Sequence, residues 1–196
     1  MKKLLYILIC ICFACNSENT SDCFQTEGDI IQEEIEVNDF EKILVNRDVE
    51  LILSEGTDYE VIVETGSNLL NDITVEVVND ELQLSDNNTC NFVREYGITK
   101  IYVTAPNITE IRSSTQFDIS SEGVLSFSSL KLISEDFNHP DSFTVGDFRL
   151  TVNNENVSVV SNNISSFYIN GTTNKLTVGF YAGTGRFEGE NLLAQD

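Results

Sequence analysis

The sequence predicts an all-β fold, and within that class a β-solenoid, in which short strands stack in successive coils. From Ile30 onward, apolar and polar residues alternate with a period of two, which is typical of half-buried strands. No segment keeps a 3.6-residue apolar period long enough for a convincing helix. Beyond Pro106, clusters of β-type residues recur about every twenty residues, and a regular repeat of that length indicates a solenoid.

The first half of this domain is predicted to be a series of strands separated by short polar turns. The turns are rich in Asn, Asp, Gly and Ser, which favour tight backbone reversals. A polar loop at residues 86–91 separates the early strands from a strand at residues 100–104, which Pro106 ends. The apolar positions of the earlier strands are Val49, Leu51, Leu53, Tyr59, Val61, Val63, Ile73, Val75, Val77, Leu82 and Leu84.

The second half contains the repeating clusters, at residues 108–112, 130–133, 148–152, 167–169 and 186–188. In a solenoid, each coil buries its inward side chains only against its neighbours, so these residues should form one continuous core. A β-sandwich with equally frequent turns is the alternative, because it uses similar short alternating strands. The residues predicted to stack in the core are Leu132, Leu150, Val152, Ile169, Leu176 and Val178.

The amino terminus has the features of an export signal. Lys2 and Lys3 precede an apolar run at residues 4–13, which is too short to span a bilayer. Ala14 precedes Cys15 as in a loose bacterial lipobox, which predicts a signal peptide at residues 1–14 and a lipid on Cys15. Cleavage by signal peptidase I, without lipid, is the alternative.

Residues 15–29 are then expected to be the lipidated cysteine and an acidic tether, and residues 30–196 a single domain. The predicted location is the outer membrane, on either the cell surface or the periplasmic face. At the carboxyl end, residues 185–191 still have the pattern of a coil, and no obvious cap follows. Either Leu192 and Leu193 fold over this end, or the sequence is a fragment of a longer protein, which is the reading we favour.

The charge of the chain limits its partners. It has 11 Lys and Arg against 32 Asp and Glu, a net charge of −21. Such a protein repels nucleic acid and anionic lipid. The charge keeps the protein soluble without specifying a ligand.

Apart from the lipidated Cys15, the cysteines outside the signal are Cys23 and Cys90, and in an exported protein they are expected to form a disulfide. A metal site is the alternative, but His139 is the only histidine and no Cys-x-x-Cys motif is present.

Few residues could support catalysis. His139 lies among acidic residues at 135–141, where an acid/base pair on a solenoid face is conceivable, although the stretch is more simply an exposed turn. The chain lacks both a Gly-x-Ser-x-Gly elbow and a phosphate-binding loop. Turns at residues 153–156 and 162–163 are rich in oxygen ligands for calcium, but Asn and Asp are also common in turns for backbone reasons.

Two aromatic pairs, at residues 167–168 and 180–181, should each turn one ring inward and one outward. This leaves Tyr168 and Tyr181 exposed as candidate contacts for sugars or protein. Scattered surface aromatics without a ligand are the simpler alternative.

Three segments resemble a known family: residues 40–53, residues 90–94, and residues 100–114 with the step Ala105-Pro106-Asn107 followed by Ile111-Arg112-Ser113-Ser114. The resemblance, from about Ile35 to the chain end, is to the family named "putative auto-transporter adhesin, head GIN domain". It implies an exported or lipid-anchored envelope protein with a solenoid-like fold and attachment as its role. It implies no catalytic residues, and relatives carry further coils beyond the end of this sequence.

These observations favour a non-catalytic interaction module, tethered to the membrane by a lipid, that presents a regular surface to a protein or glycan. The alternatives are a carbohydrate-active enzyme on the same scaffold and a passive structural protein of the envelope. An enzyme of that kind would need two carboxylates roughly 5 to 9.5 Å apart in a cleft.

Overall fold

A computed structural model describes residues 22–88, 90–95, 97–137, 140 and 142–196. Cys15 and His139 lie outside these residues. The described chain is all-β, as predicted, with 3-10 turns at Asp22–Phe24 and Leu70–Asp72. Its strands are β1 (Ile30–Glu34), β2 (Lys42–Val45), β3 (Glu50–Glu55), β4 (Glu60–Gly66), β5 (Ile73–Val78), β6 (Glu81–Asp86), β7 (Lys100–Ala105), β8 (Glu110–Ser113), β9 (Ile119–Leu125), β10 (Ser129–Ser134), β11 (Phe148–Ser161), β12 (Ser166–Phe180), β13 (Arg186–Glu188) and β14 (Leu192–Ala194).

The strands form one curled, open sheet with two arms. The first arm has the order β1-β4-β7-β3-β9 and the second the order β5-β6-β2-β8-β10. The long strand β11 joins them, because its first part pairs with β9 and its last part with β10. β12 follows β11 along both arms, and β13 and β14 pair with the first part of β12.

The register explains the repeat of about twenty residues. Ile111 pairs with Leu132, Leu150 with Ile169, and Phe167 with Phe187, all in parallel strands. The cluster at 130–133 belongs to the second arm and the cluster at 148–152 to the first, so these two neighbours in sequence are not partners. The predicted turn at residues 153–156 is wrong, since these residues lie inside β11, where the strand passes from one arm to the other.

In the first half of the domain, the strands are not stacked in chain order. β2 lies between β6 and β8, and β3 lies between β7 and β9. β6 and β7 therefore lie farther from β11 in the sheet than β2 and β3, although they come later in the sequence. β4 pairs with β7, and β5 pairs with β6, both in antiparallel orientation. β1 in turn pairs antiparallel with β4. Each arm therefore ends in antiparallel pairing at its outer edge.

The core is apolar and continuous. Leu132, Leu150, Val152 and Ile169 are buried, as predicted, and Leu176 is partly buried. The prediction fails for Val178, which is 37% exposed. It pairs with Val159 of β11, and no strand in the described chain pairs with residues 177–180 on their far side.

The folded part begins before Ile30, the predicted boundary. Gln25 is buried and donates to the backbone oxygen of Asn68, and the Asn68 amide side chain donates to the backbone oxygen of Thr26. Cys23 and Cys90 form the predicted disulfide. Residues 23–29 are thus fastened to the domain. None of the helices in the described residues is long and apolar enough to span a membrane.

Reducing the disulfide is expected to lower the free energy of unfolding by about 4 kcal/mol, because the bond closes a loop of 67 residues in the unfolded chain. Urea unfolding with and without dithiothreitol measures the loss. In a Cys23→Ser/Cys90→Ser variant, the reductant should have no further effect. A midpoint unchanged by reductant in the parent protein would contradict the prediction.

Candidate binding surface

The candidate surface lies on the outer face of the first arm, where β11, β12 and β13 run side by side. Phe148 and Phe167 are in register and point into the core. Because successive side chains of a strand point to opposite faces, Arg149 and Tyr168 point outward. Arg149 pairs with Tyr168, and Tyr168 with Glu188. The register thus assembles a cation, an aromatic ring and a carboxylate in one row.

Arg149 is the centre of this row. Its Nε donates to Asp118 Oδ2 at 2.6 Å, and its Nη2 donates to Asp147 Oδ2 at 3.2 Å. The guanidinium carbon lies 4.2 Å from the centre of the Tyr168 ring, a cation–π contact. The hydrogen bond to Asp118 raises the pKa of the Arg149 guanidinium, although burial opposes the shift. Arg149 therefore stays charged and fixes one side of the Tyr168 ring.

A shallow open groove runs beside the ring. Six residues line it: Arg149, Tyr168, Asn170, Glu188, Glu190 and Asn191. The amides can both donate and accept hydrogen bonds, and the carboxylates accept them. Together with an aromatic ring, this set suits polyhydroxylated ligands such as sugars.

Sequence reasoning identified Tyr168 but missed Arg149, Asn170 and Glu188. Their positions could have been found by aligning outward residues at the repeat of about twenty, since Arg149, Tyr168 and Glu188 are 19 and 20 positions apart and directly paired.

Tyr181 belongs to a different cluster. It is 69% exposed and contacts Phe137 edge-on, with 6.4 Å between ring centres. Phe180, predicted to point inward, is also partly exposed, although its ring touches Phe167. Both residues lie at the end of β12, where no described strand continues the sheet. The two candidate tyrosines therefore lie in separate clusters.

The acidic stretch at 135–141 contains a structural ion pair. Arg112 Nη1 lies 2.6 Å from Glu135 Oε1, and the two side chains are 13% and 4% exposed. The backbone amide of Phe137 donates to the other Glu135 oxygen at 2.7 Å. Glu135 is thus held inside the protein, contrary to the expected exposed turn. The predicted acid/base pair with His139 lies outside the described residues.

The calcium prediction gains no support from the side chains that the structure covers, where no group of three or more Asp, Glu, His or Cys could hold a metal. The Asn162 side-chain nitrogen instead donates to Asp136 Oδ1 at 2.6 Å. The Asn162 side-chain oxygen accepts a hydrogen bond from the backbone amide of Asp136. These polar side chains hold two neighbouring turns together.

A second depression lies beside the disulfide and is lined by Asp48, Asp86, Arg94 and Thr99, among others. Thr99 donates to Asp86 at 2.6 Å, and Gln116 donates to Asp48. Burial raises the pKa of the Asp48 carboxyl, the bond from Gln116 opposes the shift, and the charge of Asp86 adds to it. Asp48, Asp86 and Thr99 already have hydrogen-bond partners, so this depression is less suited to a ligand than the groove.

Comparison with known proteins agrees with the resemblance. The sequence model of the family described as "Putative auto-transporter adhesin, head GIN domain" matches residues 39–196. A "putative adhesin" from Bacteroides fragilis is similar in structure, with a TM-score of 0.59, 13% identity, and coverage of 86% of this chain and 98% of its own. A "putative lipid binding protein" from Parabacteroides distasonis has a TM-score of 0.56, 14% identity, and coverage of 85% and 76%. A search of curated proteins finds no match.

Proposed function

Since the chain belongs to the head GIN domain family, we propose that it is a non-catalytic interaction module of the bacterial cell envelope, an adhesin that binds a glycan through the outer face of its first arm. The observation that carries this proposal is the row of Arg149, Tyr168 and Glu188 beside Asn170 and Asn191. A net charge of −21 makes sialylated or sulfated glycans poor ligands. Neutral or amino sugars are the expected class.

The ring of Tyr168 supplies an apolar platform, and the neighbouring amides supply hydrogen bonds. Arg149 is already bonded to Asp118 and Asp147, so it orients the ring before a ligand arrives. A preformed surface loses less conformational entropy on binding. Among the described residues, no observation favours the carbohydrate-active enzyme.

We further propose that Cys15 carries a lipid and anchors the domain in the outer membrane. The basic and apolar start of the sequence supports export. The Cys23–Cys90 disulfide supports an oxidising compartment. Palmitate labelling and intact mass of the parent protein and a Cys15→Ser variant test this, with loss of label expected in the variant.

The parallel pairing also leads us to interpret the sheet as a two-sided β-solenoid from β8 onward. Three pairs support coils of about one repeat: β8 with β10, β11 with β12, and β12 with β13, at 19 to 21 positions. β11 pairs with β9 and β10 at 27 to 29 positions, so the coil that ends in β11 is longer. In this interpretation, the Tyr168 row is one line of a regular surface that runs across successive coils.

Tyr168→Ala is expected to weaken glycan binding about tenfold, because the variant loses the aromatic platform. A glycan array with the parent protein identifies the ligand, and calorimetry then compares the variants. Tyr181→Ala is the matched control, since it removes a tyrosine from the other cluster. Its affinity should be unchanged.

Circular dichroism and thermal unfolding check that both variants are folded. If Tyr168→Ala leaves the affinity for the glycan unchanged, the glycan binds elsewhere on the protein. Binding to matrix proteins but to no glycan would favour a protein ligand, and binding to neither would favour a structural role in the envelope.

A further inference from the structure

A group of exposed apolar side chains lies where the folded chain begins. Phe24, Phe92 and Val93 are 53%, 72% and 50% exposed. The rings of Phe24 and Phe92 are in contact, with 5.8 Å between their centres. We call these three residues the entry patch. Exposed aromatic rings that cluster in this way mark a contact surface more often than isolated ones do.

The entry patch is fixed in place. The disulfide joins Cys23 to Cys90, and the Phe92 amide donates to the Cys23 backbone oxygen at 3.0 Å. Next to the patch, the Arg94 guanidinium donates to the backbone oxygens of Gln25 and Cys90. The two chain segments that carry the phenylalanines are therefore held together.

The sequence indicates what covers this patch. Eight residue steps separate Cys15 from Cys23, so the two can be at most roughly 28 Å apart at full extension. If Cys15 is anchored by a lipid, as proposed above, the entry patch is at the end of the domain nearest the bilayer. A lipid on Cys15 would hold the domain at the bilayer without setting its orientation, and a second apolar contact with the bilayer would set it.

We propose that the entry patch docks on the surface of a phospholipid bilayer and sets the orientation of the domain on its lipid anchor. The patch has Arg94 beside it, while Glu27 and Asp29 line the neighbouring depression together with Val93. Acidic groups so close to the patch, and the net charge of the chain, favour a zwitterionic leaflet over an anionic one. This inference rests on the lipid anchor of the proposed function and is independent of the glycan site.

The chain contains no tryptophan, so Phe92→Trp introduces a single fluorescent reporter at the patch. The full chain is expressed in a Gram-negative bacterium and purified with its lipid. It is then reconstituted in vesicles of phosphatidylcholine and phosphatidylethanolamine, in which a part of the phosphatidylcholine has brominated acyl chains. Phe24→Trp is a second reporter on the same patch, and circular dichroism selects the folded variants.

We expect the emission of the reporter at position 92 to shift to the blue and to be quenched about twofold by the brominated lipid, as for a side chain at the boundary of head groups and acyl chains. Tyr181→Trp is the matched control. It is similarly exposed but follows β12, which five strands, β4, β7, β3, β9 and β11, separate from β1. Its emission should be the same with and without brominated lipid.

Three results would overturn the inference. If the protein floats with the vesicles but neither patch reporter is quenched, the anchor stands and the patch does not dock. A reporter that is blue-shifted but not quenched would show that another part of the chain covers the patch. A protein without lipid that does not float would refute the anchor and, with it, this inference, while glycan binding remains a separate measurement.

Discussion

Replacing Phe167 with alanine is expected to lower the free energy of unfolding by about 4 kcal/mol, within the usual range for a buried phenylalanine. Phe167 is fully buried and stacks on Phe148, with 4.8 Å between ring centres and an angle of 9°. It also contacts Phe180 edge-on at 6.2 Å. The variant leaves a cavity between strands that bond to each other along their whole length, so the neighbours can close it only in part.

Equilibrium unfolding in urea measures this loss. Phe137→Ala is the matched control, because Phe137 is exposed and its removal should change stability by less than about 0.5 kcal/mol. A loss below about 1.5 kcal/mol for Phe167→Ala would mean that the ring is not part of a closely packed core.

Replacing Arg112 with alanine should cost about 3 to 5 kcal/mol, because it leaves the Glu135 carboxylate inside the protein without its cation. The same strands provide a matched control. Lys131 and Glu110 also pair β10 with β8, at 3.1 Å, but on the exposed face. Lys131→Ala should therefore cost less than about 1 kcal/mol.

A double variant separates the contribution of the ion pair from the cost of leaving Glu135 buried without a cation. Arg112→Met/Glu135→Leu removes both charges and keeps apolar volume, so it should recover most of the stability that Arg112→Ala loses. Thermal and urea unfolding of the four proteins provide the comparison. If Arg112→Ala and Lys131→Ala lose equal stability, Glu135 is solvated in solution and the buried ion pair does not exist there.

The sequence predicted the all-β class because strand alternation is a local property. Val61 and Val63 on β4, or Ile101 and Val103 on β7, are buried at every second position. The order of the early strands was not predictable in this way. Both β2 and β6 present apolar residues at alternate positions, and nothing local indicates that β2 lies between β6 and β8. Pairing between strands distant in sequence depends on the whole sheet.

The long strand β11 shows a second limit of prediction from the sequence. Residues 153–156 are three asparagines and a glutamate, a composition that favours turns. They continue β11 because both neighbouring strands supply partners for the backbone: Asn156 pairs with Ser129 on one side and with Lys175 on the other. Tertiary pairing therefore overrides local preference at this point.

The candidate surface was predictable in part. Tyr168 could be identified from the alternation in one strand, and the disulfide from the number of cysteines. Arg149 and Glu188 become its neighbours only through the register of three strands. Nothing in the composition of residues 135–141 distinguishes the buried Glu135 from an exposed acid, because its partner Arg112 is 23 positions away.

The strand order also sets a standoff distance. Neighbouring strands are about 4.8 Å apart, and six such intervals separate β1 from β12 in the first arm, so Tyr168 lies about 29 Å along the sheet from the strand that follows the entry patch. With the patch on a bilayer, the sheet would act as a molecular ruler that holds the proposed ligand-binding row above the head groups.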